Sequence, residues 1–295
     1  MARRALVTGA GGQLGRELLR RGPARDWVVT GVTHAELDIA DAVAVRRAVE
    51  AANVDLVVNA AAYTAVDQAE GEPERAHAAN ADGPRHLAEA CAALALPLVH
   101  ISTDYVFDGA KSTGYVEDDP VGPINVYGAS KEAGERAVRA ALPAHVILRT
   151  SWVYSAQGRN FVRTMLQLAA EREELKVVAD QFGCPTSAGE LAEGVFSIAG
   201  LLDGSPERYG TFHFAGAGAT SWHGFAGAVM ELCRPEGVPA PRLVPIPTSD
   251  FPRPARRPAH SVLDCGRLQR AFGIAPLPWR EALAEVGREL RGVAG

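Results

Sequence analysis

Ala5-Leu6-Val7-Thr8 reads as a short buried strand that breaks into Gly9-Ala10-Gly11-Gly12-Gln13-Leu14-Gly15, after which 16–21 reads as a helix. A Gly-x-x-Gly-x-x-Gly turn between a strand and a helix limits the fold more than any other stretch of this chain. Such glycines permit a tight turn and let backbone N–H groups approach a pyrophosphate at the helix N-terminus. A glycine triplet alone says little in a chain with 30 Gly; its place directly after the first strand gives it meaning.

Apolar runs recur along the chain at 27–32, 56–62, 98–101 and 146–150, with helical stretches at 41–53, 67–79, 84–94 and from 127 onward. Strands alternating with helices at this spacing predict an α/β fold with a doubly wound parallel sheet. Beyond 150 the pattern loosens. Helices are expected at 160–174, 190–199, 222–233, 264–272 and 279–291, and strands at 177–179 and 210–215. Leu243-Val244-Pro245-Ile246 reads as an edge strand because of its proline. No internal repeat or flexible linker interrupts the chain.

The net charge of −5 argues against a nucleic-acid partner, which usually selects a basic surface. No apolar run reaches the roughly 18 residues of a membrane helix. The start, Met1-Ala2-Arg3-Arg4-Ala5-Leu6, lacks a signal peptide's apolar segment. Cys91, Cys184, Cys233 and Cys265 lie far apart with no Cys-x2-Cys pair, so neither a disulfide frame nor a zinc site is expected. These features suit a reducing cytoplasm.

Two polar clusters carry the chemistry. Leu98-Val99-His100-Ile101 delivers Ser102-Thr103-Asp104-Tyr105 at a strand's carboxyl end, where open α/β sheets bind ligands. Tyr127 and Lys131, four apart in a helix, lie on one face. A nearby ammonium favours the phenolate, so the pair predicts a lowered tyrosine pKa. Of 30 basic residues only Lys111, Lys131 and Lys176 are Lys, so a Lys at this position marks a need for a compact cation. The second strand ends in Thr33-His34, without the acidic residue that would hold a ribose 2′-hydroxyl and repel a 2′-phosphate. That favours NADPH, with NADH tolerated. Asp38-Ile39 suits an adenine edge, and Ala60-Ala61-Ala62 leaves room for a flat ligand. Asp41 reads as a helix cap.

Gly9-x-x-Gly12-x-x-Gly15, Thr103 and Tyr127-x3-Lys131 together resemble the extended short-chain dehydrogenase/reductase superfamily. Five further stretches narrow the resemblance to the dTDP-4-dehydrorhamnose reductase family. They are Ser102-Thr103-Asp104-Tyr105-Val106-Phe107, Tyr127-Gly128-x-x-Lys131-x-x-Gly134-Glu135, Arg149-Thr150-Ser151-Trp152-Val153-Tyr154, Asp180-Gln181-x-Gly183-x-Pro185-Thr186 and Pro254-Ala255-Arg256-Arg257-Pro258.

The resemblance implies a Rossmann-type domain, 1–153 plus about 186–215, and a smaller C-terminal α/β substrate domain, about 154–185 plus 216–295. It also implies NAD(P)H-dependent reduction of the 4-keto group of dTDP-6-deoxy-L-lyxo-4-hexulose, giving dTDP-L-rhamnose. Tyr127 would donate the proton, Lys131 would hold the nicotinamide ribose, and Thr103 would bind the sugar oxygen. Gly9, Gly12, Gln13, Leu14, Gly15, Asp38, Ile39, Ala60, Ala61, Ala62 and Thr64 would surround the cofactor. Asp104, Tyr105, Trp152, Gln181, Arg256 and Arg257 would meet the dTDP sugar. Some members are dimers with Mg²⁺ at the interface, and Glu17, Glu190 and Glu289 are the matching positions.

Cys184 departs from the family, where a small Ala is common. Tyr105 stands where a 4,6-dehydratase carries the third residue of Thr-Asp-Glu, which disfavours elimination. The competing readings are another nucleotide-sugar epimerase, dehydratase or reductase, and a non-catalytic NADP-binding regulatory subunit.

Overall fold

The computed structural model describes residues 2–292. Five of its strands are β1 (Arg3–Thr8), β2 (Trp27–Val32), β3 (Leu56–Asn59), β4 (Leu98–Thr103) and β5 (His145–Thr150). With the Gly210–His213 strand they form one six-stranded sheet, ordered β2, β1, β3, β4, β5 and then Gly210–His213. Every pairing in it is parallel, as the alternation predicts. The inner strands β3, β4 and β5 are buried on both faces, which is why they read as continuous apolar runs. Ala5 and Val7 join a cluster with Leu14, Leu18, Leu191 and Phe196. Leu6 points the other way, into a cluster with Val57, Leu87 and Val138.

Register fixes where a ligand fits. Thr8 lies between Val32 and Asn59, and Thr103 lies beside Thr150. The strand order reverses between β1 and β3, so a crevice opens at their carboxyl ends. The glycine turn leaves β1 there, and Ala60-Ala61-Ala62 leaves β3.

A third apolar cluster gathers Tyr154, Val162, Phe225, Val229, Trp279 and Leu283. Against it lie the paired parallel strands Glu174–Val178 and Arg242–Ile246. The strand containing Pro245 is thus an edge strand, as expected. Its partner begins at Glu174, whereas the sequence pattern ran the preceding helix to 174; that helix, capped by Asn160, stops at Glu171.

The expected helix over 67–79 is broken differently. Val66–Ala69 is followed by a turn and by Pro73–His77, since Pro73 has no N–H to continue the ladder. The expected gap before 84 is absent: the chain stays wound through a π turn, Ala78–Asp82, into Gly83–Ala93. Buried Asn80 explains that turn's position. Its amide donates to Ser130 Oγ and the Tyr63 carbonyl and accepts from the Tyr63 N–H.

Candidate active site

A cavity of about 940 Å³ runs along the crevice. Its floor is the glycine turn. Gly9 has φ +73°, and a Cβ there would stand 2.6 Å from the Ala61 nitrogen. A Cβ on Gly15 would meet the Gly9 carbonyl at 2.3 Å, so Gly15 seats the helix on the turn without lining the cavity. The helix Gln13–Arg21, α1, starts behind Gly12 with no side-chain cap and no acid in its first turn. Gly11, Gly12, Gln13 and Leu14 line the cavity at this helix start, where the first-turn N–H groups have no intrahelical partner. A pyrophosphate fits this cradle. The Gln13 side chain is engaged elsewhere: it accepts from Ser155 and Asn160 and reaches the Val153 carbonyl, tying the turn to the chain beyond β5.

Asp38 and Ile39 line one end, and Ala60, Ala61, Ala62 and Thr64 line the β3 side. Thr33 and His34 line it as well. The strand end itself bears no acid, but Glu36 folds back onto it. Its Oε2 accepts from the Thr33 N–H and hydroxyl, each at 2.8 Å. No local motif marks this carboxylate, because Glu36 stands beyond the strand end Thr33-His34 and returns only through its turn. Two wall cations also escaped notice, Arg75 and Arg159. Arg75 pairs with Glu72 at 2.6 Å. Only the neighbouring Gly158, at φ +72°, hints that Arg159 sits on a built turn.

Thr103, Tyr127 and Lys131 line the same cavity, with a hydrogen bond between the Thr103 and Tyr127 side chains. Tyr127 and Lys131 ride on the helix Val126–Ala141, which Asn125 caps by accepting from the Gly128 N–H at 2.7 Å. A Cβ on Gly128 would stand 2.1 Å from the Tyr105 carbonyl, so glycine lets this helix lie against β4's end. Below the trio is a sealed ion cluster. Glu135 receives Arg149 through two bonds of 2.9 and 2.7 Å, Ser102 at 2.6 Å and Arg139 at 3.0 Å. Glu135 is one turn from Lys131, and Ser102 adjoins Thr103, so the cluster clamps helix, β4 and β5 together.

Lys131 is 2% exposed, and its Nζ donates to the Ile101 carbonyl at 2.7 Å. Burial lowers it to about 8, against the raising effect of Glu135. Tyr127 does not behave as expected. Burial pushes it up to about 12; a Thr103 hydrogen bond pulls it down, and Asp104 pushes it further up. The Lys131 charge does not offset the desolvation of the phenol, so the expected lowering is corrected. A phenol at about 12 is still fully protonated at neutral pH and more acidic than the alcohol formed from a ketone, so it remains a proton donor.

Thr103 Oγ1 donates to Asp104 at 3.0 Å and accepts from the Tyr105 N–H at 3.2 Å, so it also caps a turn. Burial pushes the Asp104 carboxyl up to about 7. Tyr105 lies edge-on to Tyr127, ring centroids 5.7 Å apart, outside the cavity wall. Trp152 lines the cavity at φ +48° and stacks on Trp222 at 3.5 Å. That partner was read from sequence only as a helix start.

Gln181, Arg256 and Arg257 do not line this cavity. Gln181 Nε2 donates to Thr248 at 3.0 Å. Arg256 is exposed. Arg257 is already paired with Asp67 at 2.5 Å, a contact 190 residues apart in sequence. Buried Cys184, with its thiol pushed up to about 11 by burial, packs with Phe107, Tyr115 and Leu263. Its carbonyl accepts from Ser151.

Glu17 is held by Arg20 and Arg21 at 2.6 and 2.9 Å, and Glu289 lies 4.0 Å from Arg20. Glu190 accepts from the Leu277 N–H, and burial pushes it up to about 7. Among the described residues no group of three or more His, Cys, Asp or Glu is arranged to hold a metal. No helix among them is long and apolar enough to cross a membrane.

The sequence model of the RmlD substrate binding domain matches residues 3–291. The dTDP-4-dehydrorhamnose reductase of Sinorhizobium fredii is 46% identical over 282 residues, 95% of each chain. That of Burkholderia thailandensis is 47% identical over 295 residues, 97% of this chain and 98% of its own. A dTDP-4-dehydrorhamnose reductase structure from Clostridium acetobutylicum superposes with TM-score 0.91 at 39% identity, covering 98% of this chain and 99% of its own. One from Bacillus anthracis, in complex with NADP, also gives TM-score 0.91, at 36% identity over 98% of this chain and 100% of its own. The chain therefore belongs to the RmlD substrate binding domain family, among the dTDP-4-dehydrorhamnose reductases.

Proposed function

We propose that this chain is an NAD(P)H-dependent reductase that converts the 4-keto group of dTDP-6-deoxy-L-lyxo-4-hexulose to the alcohol of dTDP-L-rhamnose. The observation that carries this reading is that Thr103, Tyr127 and Lys131 line the same cavity as the glycine turn. The cradle fits a dinucleotide: Gly9, Gly11 and Gly12 line the cavity without side chains, and α1 begins there with no side-chain cap and no acid in its first turn. When bound, reduced nicotinamide supplies the hydride for C4 of the sugar.

The chain's own groups do the rest. Tyr127 gives its hydroxyl proton to the oxygen of the former ketone as charge develops there. Thr103 holds that oxygen in reach. Lys131, charged below about pH 8, binds the nicotinamide ribose from the helix face that carries Tyr127. Trp152, stacked on Trp222, forms an apolar wall for the sugar. Arg257 meets the diphosphate by exchanging Asp67 for it, with Arg256 beside it and Gln181 toward the nucleotide.

In this proposal residues 1–153 and about 186–215 hold the dinucleotide, while about 154–185 and 216–295 hold the dTDP sugar. NADPH is the expected donor, with NADH accepted; the NADP complex of the Bacillus anthracis relative supports this. The reaction belongs in the cytoplasm, where nucleotide sugars are made. Incubating purified chain with the dTDP-4-keto sugar and either dinucleotide tests the reading. Reduced cofactor should be consumed and dTDP-L-rhamnose formed. A chain that binds both ligands without turnover would instead be a regulatory subunit.

A further inference from the structure

Beside the cavity end next to β2, bound to the lining residue Thr33, stands an exposed carboxylate that the strand's own residues do not supply. Glu36 Oε2 accepts two hydrogen bonds from one residue, the backbone N–H and the hydroxyl of Thr33, both at 2.8 Å. Those bonds hold the exposed carboxyl below the ordinary range, so it is ionised at neutral pH. Thr33 lines the cavity, and its methyl lies 3.8 Å from where a Cβ on Gly11 would stand. In sheets of this kind the residue after the second strand faces the adenosine ribose.

An N–H and an O–H converging on one oxygen form an anion site. The anion now on it is the chain's own. A 2′-phosphate reaching this place needs the same two donors and meets a negative charge already there. A free 2′-hydroxyl needs neither; it donates to the carboxylate as Glu36 stands. Arg16 supplies the opposite charge, with Nε donating to the Gly11 carbonyl at 3.0 Å on the same turn. Among the described residues no acidic side chain pairs with Arg16, and no cation pairs with Glu36.

We infer that Glu36 sets the preference between the two dinucleotides in this chain, acting as a displaceable stand-in for the 2′-phosphate on Thr33. With NADH bound, the carboxylate stays on Thr33 and takes the ribose hydroxyl. With NADPH bound, Glu36 swings out, the phosphate takes the Thr33 donors, and Arg16 balances its charge. The inference rests on the dinucleotide reading of the cavity.

Calorimetric titration of NADH and NADPH into wild type, Glu36→Ala, Glu36→Gln and Arg16→Ala, at one ionic strength, tests it. The ratio of the two dissociation constants is read, so any general change in the fold cancels. Glu36→Ala should shift that ratio toward NADPH by at least about tenfold, or roughly 1.4 kcal/mol. Glu36→Gln, which keeps an acceptor without the charge, should fall between. Arg16→Ala should weaken NADPH alone. A ratio unchanged in both Glu36 variants overturns the role of Glu36 and leaves the dinucleotide reading standing. Wild type that binds neither dinucleotide removes both.

Discussion

Glu135→Ala takes the carboxylate out of the cluster beneath Thr103, Tyr127 and Lys131. Glu135 and Arg149 have side chains 0% and 3% exposed, joined by two short bonds. The variant leaves the buried Arg149 guanidinium without its carboxylate, with only the Glu117 carbonyl at 3.3 Å and Phe107's ring at 5.0 Å still beside it. Breaking a buried pair from one side costs roughly 3–5 kcal/mol. Glu193→Ala is the control. Its partners Arg21 and Arg25 are 29% and 52% exposed, and such pairs contribute about 0–1 kcal/mol.

Urea unfolding of the two variants beside wild type reads the difference directly. Acid should erase part of it. Burial raises the Glu135 carboxyl, but the hydrogen bonds and charge of Arg149, with the Ser102 hydrogen bond and the Arg139 charge, outweigh burial and leave it below its ordinary value. A carboxyl lowered by folding stabilises fully above its unfolded pKa of about 4.3, and the contribution fades as pH falls through the folded value. The gap between Glu135→Ala and wild type should therefore narrow in strong acid. If Glu135→Ala costs no more than Glu193→Ala at neutral pH, the clamp has been misread.

Two further outcomes follow from the site. Lys131 has its pKa lowered to about 8, so dinucleotide affinity should fall as pH rises through that value, and Lys131→Met should bind weakly without that limb; a wild-type affinity that is level between about pH 7 and about pH 9 contradicts the assigned contact. Arg257→Ala should weaken binding of dTDP by calorimetry and leave NADPH affinity near wild type, whereas unchanged dTDP affinity would make Arg257 only a tether to Asp67.

Much of this architecture is legible in the chain because local signals agree with the fold. The run Ala5-Leu6-Val7-Thr8 before Gly9 gives the central strand and its turn, and Asp41 caps the helix it precedes. Tyr127 and Lys131 share one helix face because of their spacing, and that face borders the cavity. What stayed hidden depends on contacts distant in sequence or on burial. The pairing of Arg257 with Asp67 and the stacking of Trp152 on Trp222 have no local signature. Glu36 needs the turn at Thr33 to bring it back. The Tyr127 expectation failed because a sequence shows the neighbouring cation but not the desolvation that outweighs it.

The central claim is that Tyr127 delivers the proton in a reduction carried out at this cavity. Turnover of the dTDP-4-keto sugar with NADPH, measured for wild type, Tyr127→Phe and Lys131→Arg together with NADPH affinity, tests it most directly. Removing one hydroxyl should leave NADPH binding near wild type and slow reduction by at least about a hundredfold. Lys131→Arg keeps the charge but replaces a compact ammonium with a broad fork, so it should lose both turnover and cofactor affinity. Near wild-type turnover in Tyr127→Phe would contradict the account, and the same result in Lys131→Arg would return Lys131 to an ordinary helix residue.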